Sequence, residues 1–318
     1  MTDKMNPDDV QRPTLKPSLT GDPMLDNALE RLRRTLEARA KKEAATLATP
    51  DTPENAPKLP AKVVRLPFWN DEQRGTPNCF LRSALFAAIY GNSRRRYLKN
   101  AVLAVQGDIT IRYTGEQLSQ SDLDLVMAAL HLARQHPLGH ICHFRGYAFL
   151  KSMGRSDNAD NYAWMIATIK RLIGCVVEIR LGQRVFDGSI LSSCTRDEGS
   201  DVYKLTFDPD FVKLFGAADW TAVDWKTRRK LGRSPLAQWV YDYAVSHVGT
   251  KIKLKTLQQL SGRGGDTQKR FNEAMKRAKK MLEKAAAATI EIDPTGLVTI
   301  THKLSPSQIR HAARKPIR

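Results

Sequence analysis

No stretch of the chain approaches the roughly 18 consecutive apolar residues that cross a bilayer, which excludes a membrane-spanning helix. The first residues, MTDKMNPDDV, also lack the apolar core of a signal peptide, so a reducing cytoplasm is the expected compartment. Cysteine is scarce. Cys79, Cys142, Cys175 and Cys194 are far apart and form no CxxC pair, which argues against a disulfide framework and a zinc ribbon. No Walker A loop occurs, since GRGGDTQKR has the glycines but not the Gly-Lys-Ser/Thr ending that holds nucleotide phosphates. A strand-borne His-hydrophobic-His nuclease motif is missing too, because Ile141 and Cys142 separate His140 from His143. His136, His140, Cys142 and His143 do gather in HPLGHICH, but a helix end running into a strand with alternating side chains sets up no metal geometry. These absences leave no catalytic residue, metal or cofactor to assign. The expectation is a protein that binds rather than catalyses.

Acidic residues are scarce at one end only. Residues 225–318 carry 21 Lys+Arg against 6 Asp+Glu, net +15 of the chain's +18, whereas residues 61–224 balance 20 against 17 and residues 1–60 balance 10 against 10. Self-repelling charge concentrated in this way points to a polyanion at that end.

A length of 318 residues exceeds what one core usually holds and suggests two ordered domains with flexible ends. Residues 1–60 read as a flexible, Pro-bounded arm. Within it, Asp22 can cap a helix whose Leu25, Leu29, Leu32 and Leu36 form a narrow apolar seam, either a fraying helix or one that orders on a partner. Residues 61–100 are a connector. In residues 101–220, ITIRYTG reads as extended, and Ser121 with Asp124 makes a capping-box start to a helix reaching Gln135. HICHF then reads as a strand, RGYAFLKSMG as a short helix, NADNYAWMIATIKRLIG as a longer one, and CVVEIRLG, RVFDGSILSSC and DVYKLTF as strands. Residues 221–304 repeat the plan. Ser234 and Pro235 start SPLAQWVYDYAVSH, followed by the strand KIKL, the helix KTLQQLSG, the turn RGGD, the long helix TQKRFNEAMKRAKKMLEKAA and a hairpin around Pro294 to Gly296. Residues 305–318 are a basic tail. The fold class expected is α+β, with tandem winged helix-turn-helix domains.

In the long second helix, a buried face of Phe271, Met275, Ala278 and Leu282 leaves Lys269, Asn272, Lys276 and Lys280 opposite. Thr267 and Gln268 lie at its start, with Arg270 in its first turn and Arg263 in the preceding turn. Lys and Arg suit guanine edges and phosphates, Gln and Asn suit adenine, so double-stranded DNA is the expected ligand. On the corresponding first helix, burial of Tyr162, Met165, Ile166, Ile169 and Ile173 places Asp157, Asn161, Trp164, Thr168 and Arg171 outward. That less basic face is a DNA reader or a dimer contact.

WKTRRKLGRSPLAQWVYDYAVSH followed by GDTQKRFNEAM resembles the C-terminal winged helix of the TrfA replication initiators of IncP-type plasmids, as do ITIRYTGEQLSQSDLDLV, RQHPLGHICHFRGYAFLKSMG and PFWNDEQRGTPNCFLRSALF upstream. The resemblance runs in unbroken order from about Leu66 to Thr301. It implies a bacterial, plasmid-borne initiator that binds direct repeats (iterons), helps open an adjacent AT-rich region, and recruits the host initiator, the replicative helicase and the sliding clamp. It also implies a monomer–dimer equilibrium in which monomers bind DNA. Members carry a clamp-binding peptide of Gln-Leu-Ser-Leu-Phe type before a Pro-Trp segment. The matching AKVVRLPFW lacks the leading Gln and the Leu-Phe ending, which leaves Leu66 and Phe68 as candidate partner contacts, the Leu25 to Leu36 helix as another route, or no clamp role. A tandem winged-helix transcriptional regulator shares every feature read from the residues. Only the resemblance separates the two.

Overall fold

The computed structural model describes residues 64–91, 94–197, 199–216, 219–247, 250–304 and 308–309, together with residues 31, 34, 35 and 38. The chain divides into two units, residues 1–61 and 62–318. The leucine seam expected in the first unit, and the basic tail apart from 308–309, lie outside the described residues.

The second unit begins with β1 (Gln73–Pro77), α1 (Asn78–Leu81), β2 (Phe86–Ala87), β3 (Tyr97–Leu103), β4 (Ile109–Glu116) and β5 (Leu118–Ser119). It continues with α2 (Gln120–Ala133), β6 (Cys142–Arg145), α3 (Gly146–Ser152) and α4 (Ala159–Ile173). Next come β7 (Val176–Leu181), β8 (Arg184–Gly188), β9 (Ser193–Arg196), β10 (Val202–Thr206), a 3-10 turn at Pro209–Leu214 and β11 (Trp220–Asp224). The chain then forms α5 (Trp225–Lys230), α6 (Pro235–Val245), β12 (Thr250–Lys253), α7 (Leu254–Leu260), α8 (Gln268–Lys284), β13 (Thr289–Ile292) and β14 (Leu297–Thr301).

The expected α+β mixture is present, and one plan occurs twice. In α2–β6–α3–α4 the closing hairpin is β9–β10, giving a three-stranded sheet of order β6-β10-β9. In α6–β12–α7–α8 it is β13–β14, giving β12-β14-β13. In both, the lone strand pairs with the last strand of the hairpin. The sequence also placed β7 and β8 in this run, but they leave it and join a four-stranded antiparallel sheet of order β3-β4-β7-β8. Side-chain pairing accounts for the diversion. Val177 and Ile179 face Tyr113 and Ile111 of β4, and all four are buried, so the hairpin buries its apolar face against β4.

Local signals were resolved by distant partners. Ser119 to Asp122 and Ser121 to Asp124 both spell a capping pattern, and α2 starts at the earlier one, two residues before the expected position. The Asp122 carboxylate accepts from the Ser119 backbone N–H at 2.7 Å and also takes Arg95 and Arg171, each at 2.7 Å. Asp124 is used elsewhere. It accepts from Arg228 Nε at 2.8 Å, and the same guanidinium is paired with Asp242 of α6 and donates to the backbone and side-chain oxygens of Gln120. Arg228 is fully buried. Burial alone pulls its pKa down, but Asp242 and Asp124 outweigh this and raise it, so the guanidinium stays charged between α2, α5 and α6.

Two half-buried histidines are held neutral. Trp69 Nε1 and Arg74 both donate towards Nδ1 of His131 at 3.2 Å, which requires an unprotonated nitrogen there. Burial, then the charges of Arg74 and Arg134, lower its pKa to about 4. His247 donates from Nδ1 to the Tyr243 carbonyl at 2.6 Å, and burial with Arg82 lowers its pKa to about 4 as well.

Two outcomes are expected from this packing. Arg228→Met strands two carboxylates around a buried site and should cost about 3–5 kcal/mol in urea unfolding; a loss under 1 kcal/mol would contradict the role of the guanidinium. Because both histidine pKa values are lower folded than unfolded, the unfolded chain binds protons first as pH falls. Stability should therefore decline from about pH 6.5 towards 4, these two groups contributing a slope of up to about 2.7 kcal/mol per pH unit, two protons' worth, and His131→Gln should make that decline shallower.

Candidate nucleic-acid interface

The α7–α8 corner is built to present the start of α8. At Gly262 the backbone takes φ +71, and a Cβ there would lie 2.6 Å from Ala87 Cβ, so glycine is needed for both shape and space. The turn is then closed by side chains. Gln258 Nε2 donates to the carbonyls of Asp266 (2.8 Å) and Arg263 (3.2 Å), and the Asp266 carboxylate receives Arg263 at 2.6 Å. Thr267 caps α8 by accepting from the Arg270 backbone N–H at 3.3 Å. From this rigid start α8 buries Phe271, Ala274, Met275, Ala278 and Leu282. Gln268, Lys269, Arg270, Asn272, Lys276 and Lys280 are all exposed. Gln268 Nε2 donates to Asn272 Oδ1 at 2.7 Å, an i,i+4 pair that holds two amide side chains side by side. Arg263 departs from expectation. Its side chain is mostly buried and committed to Asp266, so it shapes the turn rather than extending from it.

On α4 the expected outward face is largely occupied. Thr168 is fully buried, because the helix packs on two sides and its inner face is Met165, Thr168, Ile169 and Leu172. Arg171 is spent on Glu116 (2.8 Å) and Asp122 (2.7 Å). Asn161 braces the α3–α4 turn, donating to Ser156 O at 2.9 Å and accepting from Arg155 at 3.1 Å. Trp164 is half-buried beneath the Arg155 guanidinium, which stands 3.4 Å from the ring centroid, a cation–π stack within the chain. Arg155 itself was not singled out in the sequence, because nothing local marks a residue that follows a helix-ending glycine as the partner of an indole nine residues on.

Of the two candidate partner contacts near the start of the unit, Leu66 is 7% exposed and packed in the core, held there as Leu138 N–H bonds to the Val64 carbonyl at 2.8 Å. Its burial removes it from any docking peptide. Phe68 is 87% exposed.

Comparison with known proteins bears on these features. The crystal structure of domains 2 and 3 of RctB, a selenomethionine derivative, has the same fold with TM-score 0.52 at 15% identity, covering 72% of this chain and 99% of that one. A second crystal structure of RctB domains 2–3 has TM-score 0.48 at 14% identity, covering 70% and 97%. No curated protein matches the chain. The family model described as TrfA protein matches residues 37–298. That span takes in every element described above as far as the first residues of β14, and on it the chain belongs to the TrfA protein family, the replication initiators that its sequence resembles.

Proposed function

We propose that the chain is a plasmid replication initiator whose two repeated units are tandem winged helices, and that it binds direct repeats at an origin as double-stranded DNA. The observation that carries this reading is α8. It starts at a braced turn, sets Gln268, Lys269 and Asn272 outward in its first turns, and continues with Lys276 and Lys280 on an exposed face. A helix positioned after a helix and a tight turn, with base-reading groups at its start and cations further along, has the layout of a recognition helix in the major groove.

From the family come the further steps: opening of an adjacent AT-rich region, recruitment of the host initiator, replicative helicase and sliding clamp, and a monomer–dimer equilibrium with the monomer active. The chain acts in this reading by binding alone, without catalytic residues, and in the bacterial cytoplasm. Phe68 is the residue left for a clamp contact at the start of the unit. A transcriptional regulator of the same architecture would bind DNA equally well, so opening of the duplex is what separates the two.

The DNA reading is tested with α8 on a repeat-bearing duplex and on random duplex. Gln268→Ala, Lys269→Ala or Asn272→Ala should each cost about 1–3 kcal/mol on the repeat and less on random DNA. Lys280→Ala, farther from the helix start, should weaken both alike. Equal losses on both DNAs for all four would reduce α8 to a phosphate-gripping face, and no loss on either would remove it from the interface.

A further inference from the structure

The occupied face of α4 leaves open what the first repeat and its surroundings offer to DNA. Beside the start of α4 lies an open cleft of about 920 Å³, bordered by the α3–α4 turn and by α5 with the segment leading to α6. Its lining includes Arg155, Lys226, Arg229, Lys230 and Arg233. Lys226, Arg229 and Lys230 fall at i, i+3, i+4 and share one face of α5, while Arg228 at i+2 turns into the core. The fold thus sorts one basic run into a buried tie and an exposed cationic face.

Carboxylates do not neutralise this face. Of the two acidic residues on the cleft, Asp124 already accepts from Arg228. Lys226, Arg229, Lys230 and Arg233 make no ion pair among the described residues. The cations are also close enough to oppose one another. Burial pulls the Arg155 pKa down, Asp124 resists this and Arg233 adds to it; Arg74 is lowered to about 10 by burial and Arg134, with Arg229 contributing. Room for this crowding is built in. Gly154 holds φ +73, and a Cβ there would stand 2.5 Å from Arg229 Nη2, so the side-chain-free turn is what lets the guanidinium lie against it. Five cations gathered against two carboxylates, Glu72 and Asp124, are stabilised when an anion joins them. Ser156 and Asn161 at the start of α4, and Gln238 in the first turns of α6, add polar groups and two positive helix ends to the rim. Such a lining is wrong for an apolar ligand and right for phosphate.

We propose that this cleft is a phosphate site that holds the backbone of duplex DNA beside α4, so that the junction between the two repeats contributes grip rather than base reading. The assignment rests on the DNA-binding reading above. It commits Arg155 to positioning through its stack on Trp164, and Lys226, Arg229, Lys230 and Arg233 to direct contact with phosphate oxygens.

The test uses the full chain with Lys226→Gln, Arg229→Gln and Arg233→Gln combined, all exposed positions, titrated on repeat and random duplexes over a salt series. Affinity should fall at least tenfold on both DNAs by the same factor, and the slope of log K against log salt should become shallower by about 2 to 3, at about 0.9 per phosphate neutralised. An unchanged slope in the variant beside a steep wild-type slope overturns the cleft assignment and leaves the DNA reading standing. A wild-type chain with no salt-dependent binding overturns both. Acetylation of the wild-type protein checks the same point without mutation. Duplex DNA should protect Lys226 and Lys230, and a lack of protection contradicts the proposal. Protection by inorganic phosphate or a nucleoside triphosphate but not by duplex would assign the cleft to a free phosphate ligand and overturn the backbone role.

Discussion

The buried guanidinium of Arg228 is the tie on which the arrangement of the second unit depends. An isolated charge at that depth would be untenable, and two carboxylates with a glutamine's oxygens satisfy it from two helices. Gln120 and Asp124 belong to the first repeat, and Asp242 to the second. Removing Arg228 strands two carboxylates, and removing either carboxylate leaves the guanidinium half-compensated, so the contact fixes α2, α5 and α6 to one another more strictly than apolar packing would. It also sets the phase of α5. With Arg228 inward, the 100° step forces Lys226, Arg229 and Lys230 outward, and the basic face follows from the tie.

Much of the second repeat was legible because its signals are local. Phe271, Met275, Ala278 and Leu282 mark the inner face of α8, the glycines mark the turn before it, and Thr267 caps it. The first repeat was harder to read because α4 is packed on two sides, so the simple division into an apolar and a polar face put Thr168 on the wrong one. Arg171 looked free in sequence because its partners lie 55 and 49 residues away. The capping box misled for a related reason: two overlapping patterns satisfy the same rule, and the choice falls to Arg95 and Arg171, which prefer Asp122, and Arg228, which takes Asp124. Strand pairing was the least visible feature. Alternation in β7 says that Val177 and Ile179 share a face, but not that the face belongs to β4.

The functional surface divides in the same way as the charge. α8 combines base-reading groups with cations, the α5 cleft has cations with little base-reading chemistry, and α4 is tied into the fold by Asn161, Trp164 and Arg171. In the proposed reading α8 reads and the α5 cleft grips, and the Arg228 tie holds α5 in place against α2 and α6. Such division suits a protein that must hold a register on repeated sites, since phosphate contacts position a protein and base contacts specify the sequence.

The central claim is initiation, and permanganate reactivity on a supercoiled origin plasmid addresses it most directly. Adding the protein should make thymines in the AT-rich region beside the repeats reactive, with the repeats themselves protected. Protection of the repeats with no reactive thymines, with or without the host initiator present, would contradict initiation and leave a DNA-binding regulator.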